Sequence, residues 1–130
     1  MGHRRQAREL ALQLLFQVEV TRDSPEEAVQ DFWKDRDTEP PIRSFAEELT
    51  FGTLRHLREI DATLSAATEH WRLERMAIVD RNVLRMALFE LTYQKDAPPA
   101  VIINEAIEVA RRYGSGDSAG GHQEPGRQLA

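Results

Sequence analysis

The stretch "AIVDRNVLRMALFELTYQ", Ala77–Gln94, decides the fold class of this chain. Val79, Val83, Leu84, Met86, Ala87, Leu88 and Leu91 recur at the three- and four-residue spacing of an α-helix. Placed 100° apart, these residues cover most of the helix circumference, so other elements must surround it and its predicted place is central. The neighbours that bury it have to come from the rest of the chain.

They read as helices. Upstream, "WRLERM" is a turn candidate, and a long helical pattern runs from Ile42 to about Trp71 on Ile42, Phe45, Ala46, Leu49, Leu54, Leu57, Ile60 and Leu64. Gly52 is the expected point of bending or splitting in it. The polar linker "KDRDTEPP" separates that pattern from a short helix over about Pro25–Lys34, carrying Ala28, Val29, Phe32 and Trp33. Ser24 is its N-cap, Pro25 its first residue, and Glu26 and Glu27 suit its first turn. An amphipathic helix spans Arg4 to Val20, with Ala7, Leu10, Ala11, Leu14, Leu15 and Val18 as its apolar stripe. Downstream, "KDAPP" breaks the central helix, and a last helix covers Pro99–Tyr113, with Arg111 and Arg112 at its C-terminal end and Gly114 as the stop. No stretch alternates for long like a half-buried strand, and no long repeat is visible. The predicted fold class is all-α, a helical bundle followed by a small, polar, glycine-rich tail that reads as disordered.

Composition narrows the function. The chain has 130 residues, enough for one domain with a real core. It has no cysteine, which removes disulfides, thiolate catalysis and cysteine-ligated zinc. No apolar run approaches a membrane span, and Glu9, Gln13 and Gln17 interrupt any secretory signal, so a cytoplasmic location is expected. The net charge of −5 argues against a general nucleic-acid coat. Against that background, Arg4, Arg5 and Arg8 stand out as a cluster without an acid among the first eight residues.

On the first helix, Arg5, Arg8, Leu12 and Phe16 fall on or near the side opposite the apolar stripe. Arginine forks grip phosphates and an aromatic face stacks on an unpaired base, a combination that suits single-stranded RNA. The alternative is that Leu12 and Phe16 pack against another helix and the arginines are a solvated end. Asp80 and Glu90 fall inside the apolar arc of the central helix. Ten residues of helix separate them by ~15 Å, too far for one reacting centre. The structural reading is that Asp80 favours the helix start and Glu90 meets an arginine. No two of His3, His56, His70 and His122 have a helical ligand spacing, so no metal site is expected. "GDSAGG", Gly116–Gly121, matches a protease nucleophile loop only superficially, because catalysis needs partners on a scaffold that is not visible here.

Taken together, "RRQARELALQLLFQ", "VDRNVLRMALFEL" and "INEAIEVARRYGSGDS", in that order and spacing, resemble the NusB family of transcription antitermination factors. The resemblance covers residues 1–118 and leaves 119–130 as an atypical tail. It implies an all-α fold of two small helical bundles packed as one domain, and no catalysis or cofactor. It implies binding of boxA-type single-stranded RNA of ribosomal RNA leader transcripts. It also implies a small-subunit ribosomal protein, NusE, as partner within the RNA polymerase antitermination complex, and a homodimer as a further possible state. By resemblance, Arg4, Arg5, Arg8 and Phe16 lie at the RNA, and Asp80 and Asp117 at the RNA or partner surface. Gln6 stands where the family often carries a basic residue. "AGGHQEPGRQLA" stands where the family has a final helix with an aromatic and a basic residue. The competing readings are a protein-binding helical module without RNA binding, and a detached domain of an RNA methyltransferase. The second requires an α/β domain with a glycine-rich cofactor loop.

Overall fold

A computed structural model describes residues 2–67, 72–95 and 97–113. Its elements are α1 (His3–Thr21), α2 (Pro25–Lys34), α3 (Pro40–Arg55), α4 (Leu57–Ala67), a 3₁₀ turn (Leu73–Arg75), α5 (Ile78–Phe89), a π-helical turn (Glu90–Gln94) and α6 (Pro99–Tyr113). No strand occurs among the described residues. One group of helices is α1, α2 and α3; the other is α4, α5 and α6. They share one core, because α1 and α3 both pack on α5. The all-α class and the two-bundle arrangement are as expected. The tail, residues 119–130, lies outside the described residues.

Helix α2 starts where local chemistry dictates. The Ser24 hydroxyl accepts from Glu27 N at 3.2 Å, and the Glu27 carboxylate accepts from Ser24 N at 3.4 Å. This reciprocal capping box satisfies two N-terminal donors, and Pro25 at the first position loses no bond. Ser24→Ala should cost about 1 kcal/mol of stability, read as a lower urea midpoint with an unchanged denaturant slope.

Two boundaries and one packing role differ from the sequence reading. The pattern from Ile42 to Trp71 does break, but at His56 and not at Gly52. Gly52 is buried in the middle of α3, and a Cβ there would lie 2.1 Å from Cζ of Phe89. Glycine is present for a close approach of α5 to α3, and the helix runs straight through it. At the actual break, the His56 ring stacks on Tyr93 with centroids 3.8 Å apart and planes 11° from parallel. The regular α-helix of the central segment ends at Phe89, and a wider turn follows. Lys95 N donates to Glu90 O at 2.8 Å, and Lys95 closes the turn in a left-handed conformation, φ 56°. Finally, α5 is surrounded as predicted, by α1, α3, α4 and α6, but α1 is just as central and touches α2, α3, α5 and α6.

Candidate nucleic-acid interface

Helix α1 is buried on two sides. One side presents Ala7, Ala11, Leu14 and Leu15 to the core. The other carries Arg8 and Leu12 toward the second bundle, and Leu12 is fully buried. Of the two readings open for Leu12, the one in which it packs against another helix holds, and the one in which it faces outward with the arginines does not, because a second layer of helices covers that flank of α1. Between these flanks runs a narrow open strip with Gln6, Glu9, Gln13, Phe16 and Val20, exposed at Gln6 and Val20 and half-buried between them, while Arg4 and Glu19 are exposed off the strip toward the two helix ends. Phe16 is half-buried and stands outside the cluster of core side chains.

The three arginines of the opening cluster have three different environments. Arg8 is buried, 4% exposed, and grips Glu90 with two hydrogen bonds of 2.7 Å, from Nε and Nη2. Glu90 is 2% exposed, so this is a fully desolvated bidentate ion pair. The arginine partner expected for Glu90 is thus Arg8. Its Nη1 also approaches Glu105 at 3.8 Å. Arg5, one turn earlier, is partly exposed and forms a second fork with Glu105 at 2.9 and 2.7 Å. That hydrogen bond, opposed by burial and helped by the charges of Arg5 and Arg8, holds the Glu105 carboxyl below the usual glutamate range. Arg4 is exposed, with its guanidinium 4.3 Å from the Phe45 ring centroid.

Asp80 is half-buried in the first turn of α5, where the helix dipole favours a carboxylate. Asp117 lies outside the described residues. The structure thus gathers Arg4, Arg5, Arg8 and Phe16 along α1 and puts Asp80 on a different helix. Glu105 is the residue that sequence reasoning missed. No local pattern signals that a glutamate in the last helix will occupy an arginine fork 100 positions upstream. Along the same border of α1, Tyr113 donates to Glu9 at 3.4 Å and Arg112 Nη1 lies 2.9 Å from Glu9 Oε2. Burial and the Glu9 charge push the Tyr113 phenol up. Among the described residues no group of His, Cys, Asp and Glu is arranged to hold a metal ion, and no helix is long and apolar enough to cross a membrane.

Comparison with known proteins gives a consistent result. The NusB family model matches residues 5–120. The transcription antitermination protein NusB of Desulforamulus reducens is 44% identical over 115 residues, covering 88% of this chain and 80% of the relative. That of Desulfitobacterium hafniense is 50% identical over 117 residues, covering 88% and 79%. Among solved structures, T. maritima NusB superposes with a TM-score of 0.76 at 33% identity, over 99% of this chain and 85% of the other. A structure of antitermination factors NusB and NusE in complex with dsRNA has the same fold, with a TM-score of 0.78 at 22% identity, over 99% and 91% of the two chains. By the extent of the family match and the identity of these relatives, the chain belongs to the NusB family of transcription antitermination proteins.

Proposed function

We propose that this protein is a non-catalytic antitermination adaptor of the cytoplasm, which binds boxA-type single-stranded RNA together with a NusE-type small-subunit ribosomal protein in the RNA polymerase antitermination complex. Family membership supports the role, and the solved relative bound to NusE and RNA supports both partners. The observation that carries the RNA side is Phe16. It is a large aromatic outside the core cluster, half-buried on the open strip of α1, two to three turns beyond an arginine-rich start. In this reading a base stacks on Phe16, while Arg4 and Arg5 meet phosphates. Arg8, paired inside the protein, positions the helix that presents them. Asp80 and Asp117 belong to the RNA or partner surface. The helical domain comprises residues 1–118, with 119–130 as a tail outside it.

Phe16→Ala tests this directly. Loss of a stacked base should weaken boxA-type RNA binding by about 1–3 kcal/mol. A core phenylalanine would instead lower stability by roughly 3–5 kcal/mol. Thermal melting and RNA titration of the same variant separate the two. A large drop in melting temperature with parental RNA affinity per folded molecule would rule out the contact role of Phe16. Normal NusE binding with no RNA affinity in the parent chain would leave a purely protein-binding module.

A further inference from the structure

The open strip of α1 has two borders. On one side Gln17 Nε2 donates to the Ala28 carbonyl of α2 at 3.3 Å; on the other, Arg5 and Glu9 meet Glu105 and Tyr113 of α6. Each border carries an arginine that leans onto the strip. Arg36, just past the end of α2, sits with its guanidinium 4.0 Å from the Phe32 ring centroid and reaches Gln13 Oε1 with Nη2 at 3.4 Å. Arg112, near the end of α6, holds its Nη1 2.9 Å from Glu9 Oε2 and keeps half of its side chain exposed. That oxygen nevertheless has no hydrogen-bond donor aimed at it. Charge therefore holds the Arg112 guanidinium close while its N–H groups point elsewhere. Glu9, Gln13 and Phe16 succeed one another at four- and three-residue steps along the strip, so the two arginines approach it from opposite borders, at Gln13 and Glu9, one and two turns before Phe16.

These two cations differ from Arg8, whose fork is filled by Glu90 inside the protein, and from Arg5, which uses its Nε and Nη2 on Glu105 and keeps only its Nη1 side for a phosphate. A guanidinium held through its ring-stacked face, or by charge without an aligned bond, retains in-plane donors for a phosphate. We infer that Arg36 and Arg112 form the two cationic walls of a single-strand RNA track that runs along the open strip of α1 toward Phe16, with phosphates on the walls and a base on Phe16 at its far end. The inference rests on the RNA-binding reading above. A polyanion with exposed π-faces is the ligand that matches two arginines leading to an aromatic on a chain whose net charge is −5.

The test uses the full chain, a boxA-type RNA oligonucleotide and a series of salt concentrations. Each single-strand phosphate contact contributes roughly −0.7 to the slope of log affinity against log salt. Arg36→Gln and Arg112→Gln should each flatten the slope by about that amount, and the double variant by about twice as much. Counterion release alone then predicts roughly a fourfold loss of affinity per single variant near physiological salt. Arg111→Gln, which removes a cation paired with Glu108 on the same helix, should leave the slope as it was. If the parent binds RNA and Phe16→Ala weakens it, but the double variant keeps the parental slope, the two walls are wrong while the RNA-binding reading stands. Absence of RNA binding by the parent would overturn both. A polyglutamate peptide that displaces the RNA and shows the same loss in the double variant would overturn the RNA assignment of the track.

Discussion

Replacing Glu90 by alanine should cost about 3–5 kcal/mol of stability, because it leaves the buried Arg8 guanidinium without its carboxylate. For a chain of this length that corresponds to a fall in melting temperature on the order of 10–20 °C. Arg8→Ala should do the same from the other side. Removing both charges at once is a different experiment. An Arg8→Met, Glu90→Leu double variant should recover most of the loss, since well-packed apolar side chains often replace a buried ion pair at no net cost. The pair joins the first helix to the π-helical turn, so it ties the two bundles together through groups 82 positions apart. Urea unfolding of the two single variants and the double gives the coupling energy. Two single variants that unfold near the parental midpoint would mean that water reaches this pair. The folded double variant also separates positioning from contact: it should keep the parental salt dependence of RNA binding, because Arg8 has no fork left for a phosphate.

The second large effect concerns Gly52. A glycine inside a helix ordinarily costs up to ~1 kcal/mol relative to alanine, so substitution at a mere bend should stabilise the chain. The opposite is expected here. A Cβ at position 52 would stand 2.1 Å from Cζ and 2.5 Å from Cε1 of Phe89. That ring is 7% exposed and lies beside His56 and Tyr93, with centroids 6.1 and 5.9 Å away, so it has little room to retreat. Overpacking of this kind costs roughly 1–3 kcal/mol, more than the propensity gain. Gly52→Ala should therefore lower the melting temperature, and adding Phe89→Leu should relieve part of the strain. A Gly52→Ala protein more stable than its parent would show that α3 and α5 do not approach as closely as described.

Gly52 also shows where a sequence stops being informative. Its meaning as a breaker is local, and the chain around it offers no sign that an aromatic 37 positions later needs the space. The same holds for Leu12. A helical wheel assigns it to the outside because one stripe suffices to explain α1, and only the second bundle, folding over that flank, makes it core.

By itself the sequence determined that this is an all-helical chain, where α2 and α6 lie to the residue, and that the segment from Ala77 onward is enclosed. These follow from apolar periodicity, proline, and caps such as Ser24, which act over a few neighbouring residues and need no knowledge of the rest. It also showed an arginine-rich start with an aromatic two to three turns later. Only the tertiary structure decided what those arginines are for: Arg8 turns inward to Glu90, Arg5 is shared with Glu105, and Arg36 and Arg112 come to the open strip of α1 from opposite borders, at Gln13 and Glu9. The physical reason is that a charge is defined by its nearest counter-charge and by its access to water. Both are set by helices brought together from up to a hundred residues away, through packing that leaves no trace in the spacing of either partner.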